Sequence, residues 1–96
     1  MDLQTLRERY RDDILRLAEE YKLEHIRVFG SVVRGEADED SDIDLLVHPI
    51  KGCSLFEFVG FQNTLGDLLK REVDLVDDQA IVPRLAPYIL AEAVDL

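Results

Sequence analysis

Val28-Phe29-Gly30-Ser31-Val32-Val33-Arg34-Gly35-Glu36-Ala37-Asp38-Glu39-Asp40-Ser41-Asp42-Ile43-Asp44-Leu45-Leu46-Val47 decides how the rest of the chain reads. A strand runs into Gly30-Ser31, a short helical turn and an acidic loop follow, and a second strand opens with Asp42-Ile43-Asp44. Side chains alternate along a strand, so Asp42 and Asp44 point to one side and Ile43 and Leu45 to the other. Two carboxylates aimed together make a site for a hard cation. Next to the apolar run Leu45-Leu46-Val47 they are costly unless a metal or a hydrogen-bonding loop meets them. Gly30 lets the backbone come close to a ligand. Ser31, opening a helical turn, offers N–H groups and a hydroxyl where a phosphate sits well.

Upstream, Leu3, Leu6, Tyr10, Ile14, Leu17, Ala18 and Tyr21 recur at intervals of three and four, which predicts an amphipathic helix over residues 2–22. Its interleaved Glu8, Arg9, Arg11, Asp12, Asp13 and Arg16 read as a solvated face. His25 to Phe29 alternates at period two and predicts the first strand. The second strand runs from Asp42 to His48, where Pro49 stops it. Only a short link joins these two strands, so they are expected to pair antiparallel.

Downstream, Ser54-Leu55-Phe56-Glu57 is a capping box and predicts a helix reaching Lys70, with Leu55, Phe58, Phe61, Leu65, Leu68 and Leu69 on its apolar side. A third strand, Glu72 to Val76, follows a helix and can lie parallel to its neighbour. Asp77-Asp78 is expected to lead into a short helical segment, and Pro83 and Pro87 to mark the start of a last helix continuing to Leu96. That helix is apolar almost all round, so it is expected to be deeply packed or covered by another chain. The order predicts an α/β (α+β) domain with a small mixed sheet and flanking helices. Asp74 can then face the same pocket as Asp42 and Asp44.

Gly30-Ser31, ten residues, then Asp42-Ile43-Asp44, with Arg34-Gly35-Glu36 between them and Ser41 before the first acid, resembles the signature of the minimal nucleotidyltransferases (MNT) of the DNA polymerase beta-like superfamily. Glu72-Val73-Asp74-Leu75-Val76 supplies the third acid of that pattern. The resemblance covers nearly the whole chain and implies a nucleotidyltransferase fold over residues 1–96. It implies that Asp42, Asp44 and Asp74 are catalytic and hold Mg²⁺, as two ions, with Asp74 serving the ion that activates the acceptor. Gly30 and Ser31 would then cradle the phosphates of ATP, the substrate. Arg34 stays open between a phosphate contact and an ion pair with Glu36 or a loop acid. Singly, each of the three acids reads equally well as a solvated strand end or turn. Jointly, at this spacing, they do not.

The resemblance further implies an antitoxin paired with a HEPN protein, a small helical RNase, which it silences by transferring AMP from ATP to a tyrosine hydroxyl. Two rival readings are a non-catalytic antitoxin that masks its partner and a nucleotidyltransferase acting on a small hydroxylated molecule. A hetero-oligomer with the toxin is expected, and a homodimer is the alternative.

With 96 residues and no internal repeat, one domain is expected, too small to carry a separate substrate-binding domain. No membrane-spanning run or signal peptide is legible, so a cytoplasmic protein is the default. Cys53 stands alone and reads as a small apolar bystander. Acids outnumber bases 21 to 11, a formal net charge of −10. That charge repels a nucleic-acid backbone and argues against template-directed polymerisation, while it suits a basic protein partner. His25, His48 and the loop acids Asp38, Glu39 and Asp40 read as structural or solvated residues.

Overall fold

The computed structural model describes residues 1–96. Its elements are α1 (Leu3–Thr5), a π-helical turn (Leu6–Tyr10), α2 (Arg11–Glu20), β1 (Leu23–Phe29), α3 (Ser31–Arg34), β2 (Ile43–Pro49), α4 (Leu55–Leu69), β3 (Val73–Asp77), α5 (Ala86–Glu92) and β4 (Val94–Asp95). The four strands lie in the order β3-β2-β1-β4. β1 pairs antiparallel with β2, and β2 pairs parallel with β3 across the α4 crossover, as link length dictates.

Alternation along β2 sorts the molecule into two faces. Ile43, Leu45 and Val47 are fully buried and join Leu6, Ile14 and Ala18 of the N-terminal helices and Phe61, Leu65 and Leu69 of α4 in one core. Asp44, Leu46 and His48 point to the other side, where Leu46 is also fully buried. Gly60 lets α4 close on the N-terminal helices, since a Cβ there would stand 2.7 Å from the Tyr21 ring, whose hydroxyl meets Thr64 Oγ1 at 3.0 Å. The capping box forms as expected: Ser54 N–H donates to Glu57 at 2.9 Å and Glu57 N–H to Ser54 Oγ at 3.4 Å.

Several expectations need correction. The helical apolar side does not include Leu55, which is 75% exposed like its neighbour Phe56 at 89%, so the first turn of α4 leaves its apolar side chains in solvent. No helix forms directly after Asp77-Asp78, where the chain makes turns stabilised by Asp77 accepting from Gln79 N–H at 2.8 Å. The last helix stops at Glu92 instead of reaching Leu96. Ala93 turns extended, Val94–Asp95 add to the free side of β1, and Leu96 is buried in the core. Antiparallel pairing and burial of Leu96 outweigh the helical preference of an apolar tail. Nor is α5 deeply packed, since none of its residues is buried.

The link between β3 and β4 therefore crosses the open face of the sheet and is held there by polar contacts. At its start Asp78 accepts from Arg27 Nη2 of β1 at 2.6 Å and meets His48 Nδ1 of β2 at 2.8 Å. The Asp78 hydrogen bond raises the His48 pKa above its ordinary value. No helix of the molecule is long and apolar enough to cross a membrane.

If the core sits where described, Leu45→Ala costs about 2–5 kcal/mol in urea unfolding, whereas Phe56→Ala changes stability by no more than about 0.5 kcal/mol. Equal losses for the two would place the core elsewhere.

Candidate active site

The open face carries the acids. Parallel register sets Asp44 of β2 directly beside Asp74 of β3, one strand spacing apart on the same side of the sheet. Asp42 stands two residues before Asp44, just outside the strand and exposed. Asp44 is half-buried, and burial is the first cause that pushes its pKa up to about 6. The charge of Asp74 and a carboxyl–carboxyl hydrogen bond with it come next, then the charge of Asp42, against a smaller pull from Arg34. The structure thus brings Asp44 and Asp74 together and leaves Asp42 at the margin. No three acidic, histidine or cysteine side chains lie at metal-ligating spacing. Like charges repel, and that keeps three carboxylates from closing on one point unaided.

The donor set nevertheless fits Mg²⁺. It offers carboxylate oxygen alone, and its like charges raise the Asp44 pKa, as an excess of negative charge does.

Above Asp44 the chain bends at Gly30. β1 pairs Phe29 with Asp44, so the next residue passes directly over the carboxylate. Gly30 has φ +79°, and a Cβ there would stand 2.1 Å from Asp44 Oδ2. Only glycine permits that approach in that conformation. Ser31 then opens α3, which ends at Gly35 in the left-handed region. Ser41 and Asp38 tie the acidic loop together, Asp38 N–H donating to Ser41 Oγ at 3.0 Å and Asp40 N–H to Asp38 Oδ1 at 2.9 Å.

Arg34 is engaged by carboxylates on both sides, Glu36 at 3.2 Å and Glu92 at 2.9 Å. Glu92 also accepts from the Gly30 N–H. Its hydrogen bond and charge raise the Arg34 pKa above the ordinary value, with Glu36 contributing less. Phe29, Gly30, Arg34, Asp44, Tyr88 and Glu92 line a cleft of about 270 Å³. Beyond Asp74, at the free edge of β3, lies an open polar groove of about 550 Å³ lined by Gln62, Asn63, Asp67, Arg71 and Glu72 among others. Glu92 and Tyr88 are the residues of this region that sequence reasoning missed. Both sit more than forty residues from the acid motif, on a helix whose placement no local pattern reveals. The sequence left Arg34 open between a phosphate and an ion pair with Glu36 or a loop acid; the Glu36 pair forms, but nothing pointed to Glu92.

Residues 12–96 match the profile of the family described as polymerase beta, nucleotidyltransferase. The protein adenylyltransferase MntA of Thermococcus cleftensis is 42% identical over 78 residues, spanning 81% of this chain and 79% of that protein. A solved structure of a candidate minimal nucleotidyltransferase superposes with a TM-score of 0.84 at 45% identity, covering 100% of this chain and 97% of the other. A crystal structure of a toxin–antitoxin with AMP-PNP superposes with a TM-score of 0.74 at 26% identity, covering 88% of this chain and 69% of that one. The matched residues take in the glycine bend, both acid-bearing strands and the last helix, and the chain belongs to the polymerase beta nucleotidyltransferase family.

Proposed function

We propose that residues 1–96 act as one metal-dependent nucleotidyltransferase domain that transfers AMP from ATP to a tyrosine hydroxyl of a HEPN ribonuclease, and so serves in the cytoplasm as the antitoxin of that toxin. The observation that carries this reading is the pairing of Asp44 with Asp74 beneath the Gly30 bend. Support comes from a relative that is a protein adenylyltransferase and from the shared fold of a toxin–antitoxin bound to AMP-PNP.

In this reading Gly30 and Ser31 take the β- and γ-phosphates through backbone N–H and hydroxyl contacts, and Arg34 pairs with a phosphate oxygen. Asp42, Asp44 and Asp74 would hold two Mg²⁺, which when bound would supply charge stabilisation to the entering and leaving oxygens. Asp74 borders the open groove, where an acceptor tyrosine has access, and it takes the hydroxyl proton. The tyrosine oxygen attacks the α-phosphorus, the bond to the β-phosphate oxygen breaks, and pyrophosphate leaves in line. The groove's three carboxylates against one arginine, and the net charge of −10, favour a basic acceptor protein over a nucleic-acid backbone. Hetero-oligomerisation with that partner follows from the reading.

Incubation of the chain with labelled ATP, Mg²⁺ and the cognate HEPN protein should place AMP on a partner tyrosine. Asp42→Asn with Asp44→Asn should lower transfer by at least about a hundredfold, the scale of a lost acid–base group alone, with the thermal transition retained. Full protection of cells by that double variant would favour masking over modification.

The raised Asp44 pKa gives a second expectation. Between 3.8, its ordinary value, and about 6 the folded chain holds more protons than the unfolded one. The stability that this proton contributes is therefore present at low pH, is lost as pH rises through that window, and stays lost above it. In metal-free buffer Asp44→Asn should raise the Tm at pH 7 and flatten the slope between these values. Added Mg²⁺ should raise the Tm of the unaltered chain at pH 7 more than that of the variant. A variant as metal-responsive as its parent would remove Asp44 from the site.

A further inference from the structure

The segment from Asp78 to Glu92 crosses the open face of the sheet with polar contacts at each end and little burial between them. At the near end Asp78 grips Arg27 and His48. At the far end the Glu92 carboxylate accepts from Gly30 N–H and takes Arg34 Nη1 with both oxygens at 2.9 Å. Between them, α5 leaves Tyr88 75% and Leu90 52% exposed. Beyond Glu92, β4 contributes two residues to the sheet and Leu96 anchors the terminus in the core, where its carbonyl accepts from Arg7 and Arg11.

A backbone amide and a guanidinium converging on a two-oxygen anion are also the donors that a phosphate group engages. Here they are already engaged, by a carboxylate of the same chain. Glu92 stands in the cleft with Gly30, Arg34 and Asp44, so a triphosphate tail entering over Asp44 meets a negative charge on its own donors. The two anions compete for the same hydrogen bonds, and at that separation they repel.

We infer that Glu92 is a built-in competitor for the phosphate tail: nucleotide binding displaces its carboxylate from Gly30 and Arg34 and releases α5 from the sheet. The inference rests on the nucleotide-binding reading above and adds to it a coupling between nucleotide loading and the exposed Tyr88–Leu90 face. While no anion is bound, Glu92 keeps Arg34 and the bend arranged, so it is a positioning residue. Once a triphosphate takes those donors, the helix that a partner would meet loses its own polar hold on the sheet and is tethered from its two ends, by Asp78 and by β4 with the buried Leu96.

The experiment uses the full chain and its Glu92→Gln variant, with calorimetric titration of inorganic tripolyphosphate and of ATP, each with Mg²⁺. The variant should bind both about tenfold more tightly, equivalent to ~1.4 kcal/mol. In the unaltered chain, backbone hydrogen exchange over residues 86–92 should accelerate when tripolyphosphate is added. Equal or weaker binding by Glu92→Gln would mean that Glu92 supports the ligand instead of competing with it. Exchange over 86–92 that stays constant or slows would mean that α5 is not released, and either result overturns the inference. ATP binding that is unchanged by Glu92→Gln removes the competitor alone and leaves the nucleotide site standing. A complete lack of ATP binding by both proteins removes both readings. Neither measurement uses an acceptor, so the identity of the tyrosine substrate does not enter.

Discussion

The contact on which the site depends is the passage of the Gly30 backbone over the Asp44 carboxylate. Any Cβ at Gly30 would collide with Asp44 Oδ2, and φ +79° excludes most other residues in any case. Because β1 and β2 pair with Phe29 opposite Asp44, the register of the sheet and the sharpness of the bend are one constraint. A one-residue slip would turn Asp44 into the apolar core and Ile43 or Leu45 out of it, at a cost that fixes the register. The burial this produces, together with Asp74 alongside, is what makes Asp44 an unusually reluctant carboxylate.

From that constraint the division of labour between the two sheet faces follows. One face is spent on stability: Ile43, Leu45 and Val47 meet α4 and the N-terminal helices, and every large apolar side chain that is fully buried, Leu46 apart, lies in that cluster. The other face carries the acids and polar groups beside the buried Leu46, and it is crossed by the link that Asp78 and Glu92 fasten. Arg27, with its side chain 14% exposed, depends on Asp78 for its neutralisation, and its Nε has no partner. A nearly buried charge pair of this kind adds little net stability but is costly to break from one side. The crossing segment is therefore anchored at both ends, by Asp78 and by Glu92 with the buried Leu96, while α5 between them has no buried residue.

Much of this was legible because the deciding patterns are local. Asp42-Ile43-Asp44 next to a continuous apolar run reads as a strand with a functional mouth, Ser54…Glu57 as a helix start, and the short link after β1 as an antiparallel pair. Each needs only period two, period 3.6 or a fixed capping offset. The failures lie where a distant contact overrode a local preference. Leu55 and Phe56 carry apolar patterning on a first helical turn that stays exposed. The apolar tail after Glu92 reads as helix, yet the unpaired edge of β1 recruits Val94 and Asp95, and Leu96 fills the core. Arg34 shows the same limit, since Glu36 is two residues away and visible, whereas Glu92 is 58 residues away.

The amino-acid order alone determined which residues could serve chemistry and on which side of its strand each would stand, because alternation and capping are properties of neighbours along the chain. It also favoured an antiparallel β1–β2 pair, because a short link suits that pairing better than a full parallel crossover, and the register of the sheet settled it. The tertiary structure alone decided that Asp44 faces Asp74 in register, that Asp42 remains at the margin, and that a carboxylate from the last helix rests on the glycine bend. Those outcomes depend on strand order and on where a crossing segment lands, which are set by the burial of side chains far apart in sequence.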